Sequence, residues 1–216
     1  LTDALGRTVM SARISVTDRC NLRCRYCMPQ EGMEWLPGGH LLQADELVRV
    51  TALVAAAGVT DVRITGGEPL LRPDLADIVR GIAALPGIDE VSITTNGVLL
   101  GEQLDQLVAA GLRRVNVSLD SLDPDRFKQV TRRRDLHRVL AGLDACARHP
   151  ALGRTKVNAV LLRGLGDEDI LPLAALAREQ PFVVRFIEAM PLDAGRTWTR
   201  DAVDRKSTRL NSSHEW

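Results

Sequence analysis

Three of the four cysteines lie within eight residues of one another, in the segment Cys20-Asn-Leu-Arg-Cys24-Arg-Tyr-Cys27. Such close spacing favours metal ligation over disulfide pairing, and cysteine thiolates are the usual protein ligands of iron–sulfur clusters. A 4Fe–4S cluster held by three cysteines keeps one iron open to a ligand that the protein does not supply. The CxxxCxxC spacing therefore predicts a cluster that can bind and activate a small molecule.

A structural zinc site is the alternative interpretation of these cysteines. Structural zinc prefers four protein ligands, commonly arranged as paired CxxC or as CxxC with HxxxH. The fourth cysteine, Cys146, lies far along the chain in a helical pattern, and none of the four histidines has ligand spacing. Because no fourth ligand is evident, the sequence favours the cluster.

The elements that must position this segment alternate between short runs rich in Val, Ile and Thr and longer stretches of helical periodicity. Such alternation is typical of a parallel α/β sheet built from βα units. We predict strands over residues 13–17, 61–65, 90–95, 114–119, 156–162 and 183–187. Helical patterns cover residues 43–57, 74–84, 101–110, 135–149 and 167–179. Periodicity alone allows either a partial (βα)6 TIM-like barrel or a flat, doubly wound sheet.

The unusual residues of the sequence follow the predicted strands. The cysteine segment comes after the first strand and Gly66-Gly67-Glu68-Pro69 after the second, while Asn96-Gly97 follows the third and Ser118-Leu119-Asp120 closes the fourth. Ligands of parallel α/β folds bind at the carboxyl ends of the strands. We therefore expect one site assembled from several strands.

Composition limits the remaining possibilities. With 216 residues and 45% hydrophobic content, the chain can build one large core, which we assign to residues 1–203. The 28 basic and 28 acidic residues cancel, so no overall field favours nucleic acid or a membrane surface. No apolar run approaches the roughly 18 residues that span a bilayer, and no signal peptide opens the chain, so a cytoplasmic location is expected.

Both ends of the chain differ from what a complete domain predicts. The sequence begins at Leu1 rather than Met, so we expect a few residues to be missing there. Residues 204–216 have little apolar periodicity, and we expect them to be a disordered or artefactual tail that follows a C-terminal truncation.

The cysteine segment, with an aromatic residue before its last cysteine, resembles the signature of the radical S-adenosylmethionine (SAM) superfamily. The turn Gly66-Gly67-Glu68-Pro69 is similar to the second motif of that family. The resemblance implies an open partial (βα)6 barrel and a 4Fe–4S cluster on Cys20, Cys24 and Cys27. It also implies SAM bound to the open iron and cleaved reductively to a 5′-deoxyadenosyl radical.

Within the superfamily, residues 3 to 200 resemble the GTP 3′,8-cyclases of molybdenum cofactor biosynthesis. The similarity is carried by Leu-Gly-Arg near residue 6 and by six further stretches: Ser15-Val-Thr-Asp-Arg-Cys20, Arg63-Ile-Thr-Gly-Gly-Glu-Pro69, Thr94-Thr-Asn-Gly97, Arg114-Val-Asn-Val-Ser-Leu-Asp120, Lys156-Val-Asn158 and Arg185-Phe-Ile-Glu-Ala-Met190. The resemblance implies that four residues contact SAM: Tyr26, Gly67, Ser118 and Met190. It implies GTP ligands at Arg13, Arg63, Thr94 and Lys156.

The charged members of this set have a physical rationale of their own. Arg13, Arg63 and Lys156 lie within or at the start of predicted strands, where an unpaired cation is costly unless a partner such as a triphosphate is present. For the two arginines, a salt bridge across the barrel is the alternative. Thr94 and Ser118 are ordinary strand residues by composition. Tyr26 is equally compatible with a packing role, and a methionine such as Met190 more often belongs to a core than contacts a cofactor.

The resemblance implies hydrogen abstraction from the ribose C3′ of GTP and attack of that carbon on guanine C8. The product would be (8S)-3′,8-cyclo-7,8-dihydroguanosine 5′-triphosphate, the first intermediate of molybdopterin synthesis. Implied partners are GTP, an electron donor, the next enzyme of the pathway and a possible second copy in a homodimer.

One departure from the family limits this prediction. The cyclases hold a second 4Fe–4S cluster through three C-terminal cysteines, which this sequence lacks. We therefore expect that cluster only in the full-length family protein, and we do not expect complete cyclisation by these 216 residues.

Two rival functions stay open. One is a different radical SAM enzyme, such as a peptide-modifying maturase, which would not need the three cations. The other is a non-catalytic iron–sulfur scaffold, whose cluster would not respond to SAM.

Overall fold

A computed structural model of the chain describes residues 2–190. The predicted boundary at residue 203 and the expected tail over 204–216 lie outside the described residues. The strands are β1 Ser11–Ser15, β2 Asp61–Thr65, β3 Glu90–Thr95, β4 Arg114–Ser118, β5 Thr155–Leu161 and β6 Phe182–Glu188. The α-helices are α1 Ala44–Ala56, α2 Leu75–Ala83, α3 Leu100–Ala109, α4 Pro124–Thr131, α5 Leu136–Arg148 and α6 Ile170–Glu179.

The six strands form one parallel sheet in which the spatial order equals the chain order, from β1 to β6. A doubly wound sheet would reverse its strand order at a switch point, and this sheet does not. The fold is therefore the open partial (βα)6 barrel, which confirms the predicted fold class. Among residues 2–190, no helix is long and apolar enough to cross a membrane.

The two faces of the sheet differ sharply in polarity. On the face that packs against the helices, Ile64, Ile93, Val115 and Val157 are completely buried. Side chains alternate along a strand, so the neighbouring residues face the barrel lumen. The register pairs Arg13 with Arg63, Arg63 with Ser92, and Ser92 with Arg114, which makes a polar, cationic inner layer.

Two local predictions need correction. The first strand covers Ser11–Ser15 instead of 13–17, because the chain beyond it turns into the loop that carries the cysteines. The prediction also missed α4, whose charged sequence has little apolar periodicity. This helix begins because the Asp123 side chain accepts the backbone N–H groups of Asp125 and Arg126, and Pro124 occupies its first position.

Candidate active site

The loop after β1 places the three cysteines at the carboxyl ends of the strands. The backbone N–H groups of Cys27 and Met28 both donate to the Cys24 carbonyl at 3.0 Å, and this turn folds Cys27 back toward Cys24. Cys20 and Cys24 are half-buried, and Cys27 is exposed. All three thiols thus belong to one compact loop with an accessible side.

Contacts to the end of α4 fix the outer side of this loop. The N–H groups of Arg23 and Arg25 donate to the carbonyls of Thr131 and Val130 at 3.0 Å. Arg132 has a left-handed φ of 58°, and its guanidinium donates to the Arg23 and Met28 carbonyls at 3.0 and 3.1 Å. The cysteine loop is therefore held in place by protein contacts before any ligand binds.

The electrostatics of the three thiols fit a cationic ligand. Burial raises the pKa of Cys20 and Cys24, and partial desolvation raises that of the more exposed Cys27, so that ionised thiolates need a nearby positive charge. Within residues 2–190, no three His, Cys, Asp or Glu side chains surround a point where a single metal ion could bind. A 4Fe–4S cluster is larger than an ion and takes thiolate ligands, so this donor set fits a cluster better than structural zinc.

The turn over residues 66–69 lies directly against the chain that leads into Cys20. The Gly67 N–H donates to the Thr17 carbonyl and the Glu68 N–H to the Arg19 carbonyl, both at 2.7 Å. A Cβ atom at Gly67 would overlap the carbonyl oxygens of Asp18 and Arg19. Glycine is needed at this position because the two loops approach so closely.

Glu68 joins that turn to the end of β3. Its side chain has no exposed surface. It accepts the Thr95 hydroxyl at 2.7 Å, the Asn96 N–H at 2.6 Å and the Leu70 N–H at 3.0 Å. Burial raises the pKa of this carboxyl, and the three hydrogen bonds lower it. Glu68 is therefore a structural acceptor whose side chain ties its own turn to the end of β3.

We expect Glu68→Ala to lower the free energy of unfolding by about 3 kcal/mol, since it leaves buried donors without an acceptor. Glu68→Gln keeps the volume and one acceptor oxygen and should cost less. Glu102 is exposed and pairs with Arg138 at the surface, so Glu102→Ala is a control with a small expected effect. Urea unfolding of the three variants measures the difference, and equal losses for Glu68→Ala and Glu102→Ala would contradict this role.

A cavity of about 260 Å³ opens inside the barrel beside the cysteine loop. Its lining includes five residues predicted from the sequence: Arg13, Tyr26, Arg63, Thr94 and Ser118. Five residues that were not predicted as ligands complete it: Thr65, Asp120, Asn158, Val160 and Ile187. The cavity has room for part of a nucleotide between the cluster loop and the cationic layer.

Tyr26 reaches this cavity from the cysteine loop. Its hydroxyl donates to the Asp120 carboxylate at 2.7 Å, and Asp120 also accepts the Val160 N–H at 2.8 Å. Burial raises the pKa of Asp120 to about 6, and burial together with the Asp120 charge raises that of Tyr26. Asp120 was expected near the site because it closes the fourth strand, but no role was assigned to it.

The cations of the lumen have few carboxylate partners. Arg114 pairs with Glu90 at 2.5 Å, but Arg13, Arg63 and Lys156 form no ion pair within residues 2–190. The buried Nε of Arg63 has no hydrogen-bond partner there. The salt-bridge alternative for Arg13 and Arg63 therefore finds no support in the described part of the chain.

Mutual repulsion adds to the effect of burial on these cations. Burial is the largest cause that lowers the pKa of Arg63, and the positive charges of Arg13, Arg185 and Arg114 lower it further. Burial is also the largest cause that lowers the pKa of Lys156, and the charges of Arg185, Arg114 and Arg63 add to the effect. A second cavity of about 330 Å³ shares Arg13 and Arg63 with the first and continues toward Arg114. Arg114 and Arg185 thus belong to this cluster of positive charge, although neither was predicted as a ligand.

Of the eight residues predicted to contact SAM or GTP, three lie outside the lining of the first cavity. Lys156 stands in β5, opposite Asn116 in the register. Gly67 lies in its turn against the cysteine loop. Met190, at the end of the described range, is 54% exposed.

The loops at the carboxyl ends of the strands thus bring three thiols and a cationic cavity together in one barrel. The radical SAM superfamily model matches residues 14–177. The chain belongs to the radical SAM superfamily, whose cofactors are a 4Fe–4S cluster and SAM.

Relatives that match more than nine-tenths of this chain are named GTP 3′,8-cyclases. The chain is 52% identical over 205 residues to the GTP 3′,8-cyclase of Streptomyces coelicolor, covering 94% of this chain and 60% of that protein. It is 50% identical to GTP 3′,8-cyclase 2 of Mycobacterium bovis, covering 93% of this chain and 56% of that protein. The chain therefore spans less than two thirds of the length of these relatives.

Solved structures agree on the fold. Methylornithine synthase superimposes with a TM-score of 0.71 at 16% identity, over 96% of this chain and 61% of that one. SuiB of Streptococcus suis, bound to its precursor peptide SuiA, gives a TM-score of 0.70 at 22% identity, over 95% of this chain and 45% of that one. At such identities the likeness concerns the architecture alone.

Proposed function

We propose that this chain forms the core of a GTP 3′,8-cyclase, which converts GTP with SAM to the 3′,8-cyclised nucleotide that begins molybdopterin synthesis. One structural observation carries the proposal: a cavity beside the cysteine loop is lined by Arg13 and Arg63, two cations without a carboxylate partner among the described residues. The 52% identity to the Streptomyces coelicolor cyclase supports the same assignment.

The cluster and SAM, when bound, supply one-electron chemistry that starts hydrogen abstraction from the substrate. In this proposal Cys20, Cys24 and Cys27 hold the cluster. Four residues contact SAM: Tyr26, Gly67, Ser118 and Met190. Two of them, Tyr26 and Ser118, line the cavity, and Gly67 lies against the chain that leads into Cys20. The protein contributes orientation and the exclusion of water.

Arg13, Arg63, Thr94 and Lys156 bind GTP in this proposal. Phosphate oxygens are strong acceptors, and charge-assisted hydrogen bonds from Arg and Lys would offset both the burial and the mutual repulsion of these cations. Arg185 and Arg114 lie close enough to both Arg63 and Lys156 to lower their pKa values, so they add to the positive field around the phosphates.

Further partners follow from the whole reaction. It needs one electron for each SAM cleaved, hence an electron donor, and its product passes to the next enzyme of the pathway. A homodimer and the second cluster of the longer relatives belong to the same proposal. We propose the cytoplasm as the site of the reaction, since reducing conditions preserve free thiols.

GTP binding tests the proposal without any cluster. Calorimetric titration of the protein should give saturable GTP binding that guanosine does not reproduce, since the triphosphate makes the charged contacts. Arg63→Met should weaken binding about tenfold or more, because it removes at least one charge-assisted hydrogen bond.

Arg80 offers a matched control, since it is an exposed helical arginine paired with Asp77. Arg80→Met should leave GTP affinity unchanged. If wild-type protein fails to bind GTP, or if Arg63→Met binds as well as wild type, the cyclase assignment is wrong and another radical SAM reaction must be sought.

A further inference from the structure

Asn96 stands where the cysteine loop, the Gly66–Pro69 turn and the end of β3 meet. It is about nine-tenths buried. Its side-chain Nδ2 donates to the Asn21 Oδ1 at 2.7 Å and lies 3.8 Å from the Cys20 Sγ, within hydrogen-bonding reach of sulfur. A buried amide therefore presents N–H groups to one of the three proposed cluster ligands.

The orientation of this amide is fixed by its other contacts. The Val98 backbone N–H lies 3.1 Å from the Asn96 Oδ1. Because a backbone N–H can only donate, the atom facing Val98 must be the oxygen, and the nitrogen must face Asn21 and Cys20. The flipped amide would set two donors against each other and would leave Asn21 and Cys20 without this N–H.

The backbone of Asn96 is held as firmly as its side chain. Its N–H donates to the Glu68 Oε2 at 2.6 Å, and the preceding Thr95 hydroxyl donates to the Glu68 Oε1 at 2.7 Å. Glu68 directly follows Gly67 in the turn that lies on the cysteine loop. The amide thus belongs to one hydrogen-bonded unit with that turn, and it has little freedom to move away from Cys20.

We propose that Asn96 is a positioning residue of the cluster site, where its side-chain N–H donates to the Cys20 thiolate and raises the reduction potential of the cluster. Hydrogen bonds to cluster sulfurs are among the factors that set such potentials. Uptake of one electron makes the cluster and its thiolates more negative, so a donor stabilises the reduced state more than the oxidised state. The inference rests on the cluster ligation proposed above and does not depend on the identity of the substrate.

The decisive comparison is between Asn96→Asp and Asn21→Asp. Each variant adds one carboxylate near the cluster, but only the first removes the N–H that faces Cys20. Asn21→Asp keeps an oxygen that can still accept from Asn96. Both variants add a negative charge to the hydrogen-bonded Asn21–Asn96 pair, and the uncharged variant Asn96→Ala separates the loss of the N–H from the effect of charge.

The measurement is a redox titration of the anaerobically reconstituted protein, followed by electron paramagnetic resonance of the reduced cluster. We expect the equilibrium constant for one-electron reduction to be about tenfold lower in Asn96→Asp than in Asn21→Asp, which is a potential about 59 mV more negative. Equal potentials in the two variants would overturn the proposal.

Asn96→Ala provides a second, uncharged test if Asn96→Asp fails to retain a cluster. Its potential should be more negative than that of wild type, and an unchanged potential would overturn the proposal. A wild-type protein that takes up no cluster would refute ligation through Cys20 and this inference with it, whereas the GTP titration above could still succeed. The two failures are therefore distinguishable.

Discussion

Gly67→Ala is expected to reduce SAM affinity about 100-fold or more in the reconstituted protein. The added methyl group would overlap the carbonyl oxygens of Asp18 and Arg19 and lie 2.6 Å from the Arg19 carbonyl carbon. Backbone atoms cannot move aside as a side chain can, so the turn must separate from the chain that leads into Cys20. A 100-fold loss of SAM affinity corresponds to about 2.8 kcal/mol, and here both proposed SAM-binding loops would shift.

Equilibrium dialysis with labelled SAM measures this loss. Gly39→Ala is a suitable control, because a Cβ atom there meets no atom within 4 Å. It should bind SAM as wild type does. Wild-type SAM affinity in Gly67→Ala would contradict this prediction, because it would show that the two loops can separate without weakening SAM binding.

Much of the barrel could be predicted because its strands obey simple rules. β2 and β3 have the predicted bounds, since runs rich in Val, Ile and Thr end at turn residues there. The helix α4 escaped prediction because only Phe127, Val130 and Thr131 are buried in it, too few to give a periodic signal. Periodicity could not predict closure into a barrel either, because the same pattern of strands and helices also suits a flat sheet.

The candidate site was predictable where a residue type is unusual for its place. Arg13 and Arg63 stand out because charged side chains are uncommon within strands, and the structure places both at one cavity. Asn96 could not be recognised in the same way. Its importance comes from contacts with Cys20 and Glu68, residues 76 and 28 positions away, which only the folded chain brings together.

The cysteine substitutions should give the clearest result of all. After anaerobic reconstitution, wild-type protein should hold about four iron atoms per chain, and Cys24→Ser should retain almost none. Serine is a much poorer ligand for iron in a cluster, and with Cys24 removed only two thiolates remain on the loop. Iron and sulfide analysis, together with the visible absorption of the cluster, measures the loss.

Cys146→Ser is the matched control, because it removes a cysteine that takes no part in the proposed site. Cys146 is buried in α5, and burial raises the pKa of its thiol to about 11, so it remains a neutral packing residue at physiological pH. This variant should keep the wild-type iron content. If Cys146→Ser lost its cluster while Cys24→Ser kept one, ligation by the CxxxCxxC segment would be wrong, and the predicted chemistry of the site would have to be abandoned with it.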